Sequence, residues 1–257
     1  MNPRLHPIRT CFIILRRELL NFFTSWTGYG LLTGSAFLNG LSFVILLLRL
    51  IDEPTVVPAS ELYFATPFYW LVALLAAPLI TMRMFAQEKF SGTFETLMTA
   101  PVTDTSVVIG KFGAAWLFFM LIWVPVPVYM YALAKVSGMP ELFKLPSVVG
   151  MYVGTGLLGA AFVSIGCWAS ALTRSQILAA VIALAGNMTL FLASFIGGKF
   201  IVPSKLAAQI VDYINIVSLL QDYAKGIVDT RLIVYCSTLT ALFLTLTVVV
   251  VGSRKWK

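Results

Sequence analysis

The sequence predicts an all-α membrane protein with six transmembrane helices. The first observation behind that prediction is composition: 59% of the 257 residues are apolar and 11% charged, against roughly 45–50% and about 25% in an average soluble domain. The second is how the few charges are spaced. Between them lie six uncharged runs, Leu19–Leu48, Leu62–Met82, Phe112–Ala134, Leu145–Thr173, Ser175–Gly198 and Leu232–Ser253, each 21 to 30 residues long. A helix of about 20 apolar residues crosses the hydrocarbon core, and only helices or closed barrels satisfy every backbone group there. Barrel strands would read as alternating segments of about 10 residues, so these runs are helices.

The third observation is where the charges fall. With the N-terminus in the cytoplasm, 11 of the 18 Lys and Arg but only four of the 11 Asp and Glu lie inside, giving +7 inside and zero outside. By the positive-inside bias both termini are expected to be cytoplasmic. The same distribution explains the formal net charge of +7. A nucleic-acid partner would need the basic residues on one face, so the expected environment is a lipid bilayer and no nucleic acid.

The elements follow in order. Residues Pro7 to Trp26 read as an amphipathic helix on the inner membrane face, with Arg9, Arg16 and Arg17 toward anionic headgroups. Arg16, Arg17 and Glu18 interrupt the apolar stretch from Cys11, so no cleaved signal is expected. Span one carries Asn39 and span five Asn187. An interhelical hydrogen bond is the first reading of each, and a pathway contact the second. The outer loop Arg49–Glu61, with Pro54 and Pro58, has no room for a domain. In span three, Pro125 and Pro127 remove two backbone donors and should kink or break the helix. A packing kink and a hinge both fit.

Gly150, Gly154, Gly156 and Gly159 thin one flank of span four for close helix contact. Thr173 with Gln176 fits a capping box for span five. The longest outer connection, Lys199–Arg231, reads as an extracellular helical loop. Pro203 and Ser204 open it, Leu206, Ile210, Ile214, Val217, Leu220 and Ala224 repeat at helical spacing, and Gly226 stops it. A structural lid and a substrate-exit gate are both open readings. Cys11, Cys167 and Cys236 stand too far apart for a metal site and read as small core hydrophobes, and His6 is the one histidine. No metal site is expected.

The cytoplasmic loop between spans two and three is the most informative segment. Span two can continue beyond the membrane to Phe90, Gly92 permits a sharp reversal, and Thr93 to Thr99 has room for about two helical turns. Pro101 ends that helix and Asp104 can cap span three. A short helix held between two membrane helices is a lever, because a force on it moves both.

These residues resemble the permease subunits of type-2 ATP-binding-cassette transporters, in particular the gliding-motility-type branch. The resemblance rests on Glu88-Lys89-x-x-Gly92-Thr93-x-Glu95-x-Leu97-x-x-x-Pro101-Val102 followed by Ile109-Gly110-Lys111. It continues through Gly154-x-x-Leu157-Leu158-Gly159-Ala160, Ile165-Gly166 and Ser170-x-Leu172-Thr173-Arg174-x-Gln176, then Gly226-Ile227-x-Asp229-Thr230-Arg231 and Arg254-Lys255-Trp256. Gln87 and Phe90 depart from the acidic and basic residues common in the family. The resemblance implies that residues 1–257 form a single transmembrane permease domain in a prokaryotic cytoplasmic membrane. The loop helix would be a cytoplasmic coupling helix, with Glu88, Lys89, Gly92, Thr93, Phe94, Glu95, Leu97 and Pro101 as its ATPase-coupling residues. It also implies a separate cytoplasmic ATP-binding-cassette ATPase that carries the ATP and Mg, and a second membrane subunit, either another copy or a related permease.

The chain has no Gly-x-x-x-x-Gly-Lys-Ser/Thr loop, since Gly110-Lys111-Phe112 and Gly198-Lys199-Phe200 lack the required neighbours. It is therefore expected not to be an enzyme and to hold no cofactor of its own. The runner-up is an ion-driven secondary transporter, which usually places ionisable groups within its spans; all six runs lack them. A membrane-embedded enzyme finds no His, Cys and carboxylate constellation to work with. A non-transporting mechanotransmission scaffold would use the same loop. The substrate is not legible in the sequence.

Overall fold

The computed structural model describes residues 7–52, 57–92, 102–138, 143–199 and 215–253. Within them the chain forms eleven helices: α1 Pro7–Thr24, α2 Trp26–Asp52, α3 Ala59–Phe64, α4 Pro67–Thr81, α5 Ala86–Ser91, α6 Asp104–Ile122, α7 Pro125–Ser137, α8 Leu145–Leu172, α9 Gln176–Lys199, α10 Ile216–Ala224 and α11 Thr230–Gly252. Six helical stretches are long and apolar enough to span a membrane: α2, α4 with α5, α6 with α7, α8, α9 and α11. The six expected spans and the all-α class are therefore present. Spans two, three and four form the core, with 61%, 56% and 72% of their apolar windows buried against 22%, 22% and 11% for spans one, five and six.

The N-terminal helix is present, but it is more than a surface helix. The first uncharged run begins at Leu19, yet the path turns at Ser25 and the span starts at Trp26. Gly28 makes that turn possible, since a Cβ there would stand 1.9 Å from the Phe22 carbonyl oxygen. Helix α1 then packs on α6. A Cβ at Gly110 would lie 2.9 Å from the Cys11 carbonyl oxygen, and the Phe22 and Phe118 rings stack at 4.7 Å. Arg9 and Arg16 are exposed, whereas Arg17 departs from the expected headgroup orientation and joins the Glu18 and Glu88 carboxylates.

Span two pauses between α4 and α5 because a side chain from span four completes its hydrogen bonding. The Ser170 hydroxyl accepts from the Phe85 and Ala86 amides, each at 3.1 Å, and donates to the Met82 carbonyl at 3.3 Å. Span three breaks at Trp123–Val124, ahead of the two prolines. There Val124 and Val126 donate three residues back, to Leu121 and Trp123. The Ile122 carbonyl released by this shift accepts from Asn39 Nδ2 at 3.1 Å, and the Met120 carbonyl accepts from Tyr152 Oη at 2.9 Å. A break within a membrane persists where neighbours satisfy the freed groups; Asn39 does so for Ile122, while the Met120 carbonyl also keeps the Trp123 amide at 3.2 Å.

Two caps differ from the sequence expectation by one or two residues. Thr103, not Asp104, caps α6, its hydroxyl accepting from Ser106 N at 3.3 Å. Ser175, not Thr173, caps α9, accepting from Leu178 N at 3.4 Å, while Thr173 accepts from Ser175 N. The glycines of span four serve two flanks rather than one. Gly150 and Gly154 admit Tyr223 and Leu220 of α10, whereas Gly156 and Gly159 admit Met120 and Phe119 of α6. The start at Pro203 of the loop expected to be extracellular lies outside the described residues. Its end is a helix capped by Asn215 and closed at Gly226 (φ 86°), where Gly226 N bonds to Tyr223 O and Ile227 N to Asp222 O. This paired arrangement is the Schellman motif.

Candidate functional site

Gly92, Asp104 and Gly252 lie at one end of the bundle, which we call the Gly92 end; Gly138 and Gly226 mark the opposite end. Gly92 takes φ 74° immediately after α5. A side chain at this dihedral would crowd the following carbonyl, so glycine is the residue that permits the reversal. Thr93, Phe94, Glu95, Leu97 and Pro101 lie outside the described residues, so the expected coupling helix is seen only at its entrance.

That entrance is fastened on two sides. On one side, Lys89 is buried, with its Nζ donating to the Ala171 carbonyl at the C-terminal end of α8. A cation there meets the negative end of the helix dipole. Ser170, one residue earlier, holds the Phe85 and Ala86 amides, so α5 is joined to span four by both side chain and backbone.

On the other side, Glu88 reaches Lys111 of α6. Lys111 is 1% exposed and uses all three of its ammonium protons: Glu88 Oε1 at 2.8 Å, the Met84 carbonyl at 2.9 Å and Glu18 Oε1 at 3.1 Å. Its Nζ also lies 5.4 Å from the centre of the Phe85 ring. Arg17 completes the group, 2.8 Å from Glu18 and 3.6 Å from Glu88. One buried cation thus joins α1, α5 and α6. Burial works against the charged form of Glu18, but Lys111 and Arg17 outweigh it and hold the carboxyl below its ordinary 4.5. Removing one member of such a buried group leaves the others uncompensated, which typically costs about 3–5 kcal/mol.

Of the coupling residues read from the sequence, the structure brings together Glu88, Lys89 and Gly92. Lys89 is turned into the bundle rather than toward solvent, whereas Phe90 beside it is 80% exposed. The remaining candidates sit elsewhere. Asn39 is buried, with Nδ2 on Ile122 O and Oδ1 accepting from Tyr63 at 2.9 Å, so both ends of its amide are committed to helix packing. Asn187 is buried in span five, and neither of its side-chain polar atoms has a hydrogen-bond partner among the described residues. Pro125 and Pro127 lie just beyond the break in span three.

Sequence reasoning missed Glu18 and Lys111 as partners and Ser170 as a fastener. Each of the three charges Glu18, Glu88 and Lys111 borders or sits near the end of an uncharged run on the same side. That is the signal that could have grouped them.

Six apolar spans around a buried core, with charges gathered at the ends, define an integral membrane protein. Residues 12–253 match the model of the ABC-2 family transporter protein, and the chain belongs to this family of transporter permeases. Over 154 residues it is also 30% identical to Heme exporter protein B of Rhodobacter capsulatus, a stretch covering 54% of this chain and 65% of that protein.

Proposed function

We propose that the chain is the membrane half of an ATP-driven transporter, energised by a separate cytoplasmic ATPase that binds ATP and Mg. Two six-span subunits, two copies or this chain with a related one, would enclose the pathway. Both termini and the Gly92 end would face the cytoplasm of a prokaryotic inner membrane, in keeping with the charge asymmetry. The ATPase would dock on the segment from Gly92 to Pro101, with Glu95 as a charged contact.

One observation carries this reading: the helix entering that segment is anchored to α1, α6 and α8 through Glu88, Lys111, Lys89 and Ser170. A push at Gly92 is therefore delivered to the ends of three helices instead of being lost in a pliable turn. Such a fixed lever is what an energy-coupling loop requires, and a mere spacer would have no need of it. The relationship to a protein named as an exporter supports outward transport.

The test is co-purification from native membranes. Glu95→Lys should lose the ATPase. Gly92→Val, which forces a branched side chain to positive φ, should keep the ATPase while uncoupling hydrolysis from transport. Retention of the ATPase by Glu95→Lys together with wild-type transport in both variants would overturn the assignment.

A further inference from the structure

Beside the fastened loop lies a cavity of about 740 Å³ lined by residues including Arg17, Asn21, Thr27, Arg83, Gln87 and Ser91. A second, apolar groove of about 360 Å³ runs between α2 and α4, walled by Gly30, Gly34 and Leu38 on one side and Val72, Leu75 and Leu79 on the other. The two share Thr27, so the charged chamber adjoins the apolar groove.

From this pairing we propose a binding site for an anionic phospholipid drawn from the bilayer, with its headgroup in the chamber and one acyl chain in the groove. Charge favours an anion. The chamber holds Arg17, Arg83 and Lys111 against Glu18 and Glu88, and Lys111 is already committed to both carboxylates. Arg83 has no carboxylate partner among the described residues. Its guanidinium donates to Thr27 Oγ1 at 3.0 Å, and its buried Nε has no hydrogen-bond partner among the described residues. Phosphate oxygens are the acceptors that an arginine fork matches best.

Depth and length fit a lipid rather than a soluble anion. Arg83 directly follows the uncharged run ending at Met82, and Arg17 and Glu18 precede the one starting at Leu19, so the chamber sits where hydrocarbon gives way to headgroups. The groove wall from Thr27 to Leu38 rises about 16 Å at 1.5 Å per residue, close to the roughly 15 Å hydrocarbon depth of one leaflet. Gly30 and Gly34 keep it open, since a Cβ at either would meet no atom within 4 Å.

The full chain is equilibrated in nanodiscs of equal phosphatidylglycerol and phosphatidylcholine, extracted into mild detergent, and its retained lipid counted by mass spectrometry. The wild type should carry phosphatidylglycerol in excess over phosphatidylcholine. Arg83→Gln should cut that excess about fivefold, the effect of one basic residue near a membrane surface, and Arg83→Lys should restore most of it. Gly34→Leu places an apolar side chain in the groove from a position where its Cβ meets no atom within 4 Å, so it should fold normally and lower retention of both lipids. Retained lipid in the bulk ratio for the wild type, or an unchanged excess in Arg83→Gln together with unchanged total retention in Gly34→Leu, would overturn the proposal. The outcome is independent of whether an ATPase docks at Gly92.

Discussion

The two ends of the bundle are held together by different physics. At the Gly92 end, a buried ammonium joins three helices through two carboxylates and a carbonyl. At the Gly226 end, α10 lies on α8 by shape: a Cβ at Gly150 would come within 2.2 Å of the Tyr223 carbonyl oxygen, and one at Gly154 within 2.9 Å of Leu220 Cδ2. The polar fastenings there are neutral, Ser60 Oγ donating to Ala224 O at 2.7 Å and Tyr223 Oη to Asp229 O at 2.8 Å. The Lys225–Glu61 pair at 3.5 Å is partly exposed on both sides and contributes little. Charge fastening is sensitive to protonation and to a charged partner, whereas steric fastening is sensitive to volume alone. The end expected to receive the ATPase is the one fastened by charge.

The contrast is tested first at Lys111. Lys111→Met leaves Glu18 and Glu88 with the half-exposed Arg17 as their remaining cation and should destabilise the protein by about 3 kcal/mol, the low end for a broken buried pair because Arg17 stays and both carboxylates keep some solvent. Denaturant unfolding in detergent measures this, and adding Glu18→Gln and Glu88→Gln should recover most of the loss. At the other end, Gly150→Leu should cost about 1–3 kcal/mol through overpacking against Tyr223, with no dependence on pH.

Acidification should separate the ends further. Because Glu18 titrates below 4.5 in the folded chain, its stabilisation is complete above the unfolded value of 4.5 and is lost as pH falls through the lower folded value. Unfolding measured at successively lower pH, starting at 4.5, should therefore show a loss in the wild type that Glu18→Gln removes. The smallest effect is expected for Ser170→Ala, about 1–2 kcal/mol from leaving the Phe85 and Ala86 amides without their acceptor.

Six spans were legible because uncharged runs of this length have only one stable conformation in a bilayer. The interruptions were less so. The prolines announce a break in span three, but the donor that takes up its released carbonyl, Asn39, stands far away in the chain. The pause in span two has no local signal at all, since its cause is a serine on another helix. Gly92 was readable from its own chemistry, because a reversal calls for a residue without Cβ. The buried triad was not, because Glu18, Glu88 and Lys111 belong to three separate charge clusters and only the packing of α1 on α6 brings them together. Lys89 reads as a solvated loop charge until α5 is laid against the end of α8.

The most direct test of the proposed coupling role places a photo-crosslinking phenylalanine analogue at one exposed residue of each end, Phe90 beside Gly92 and Val228 just past Gly226. After irradiation of native membranes, the adduct from Phe90 should contain an ATP-binding polypeptide and the adduct from Val228 should not. An ATP-binding partner captured from Val228, or none captured from Phe90 while the complex still drives transport, would contradict the assignment of the Gly92 end as the place where the energy enters.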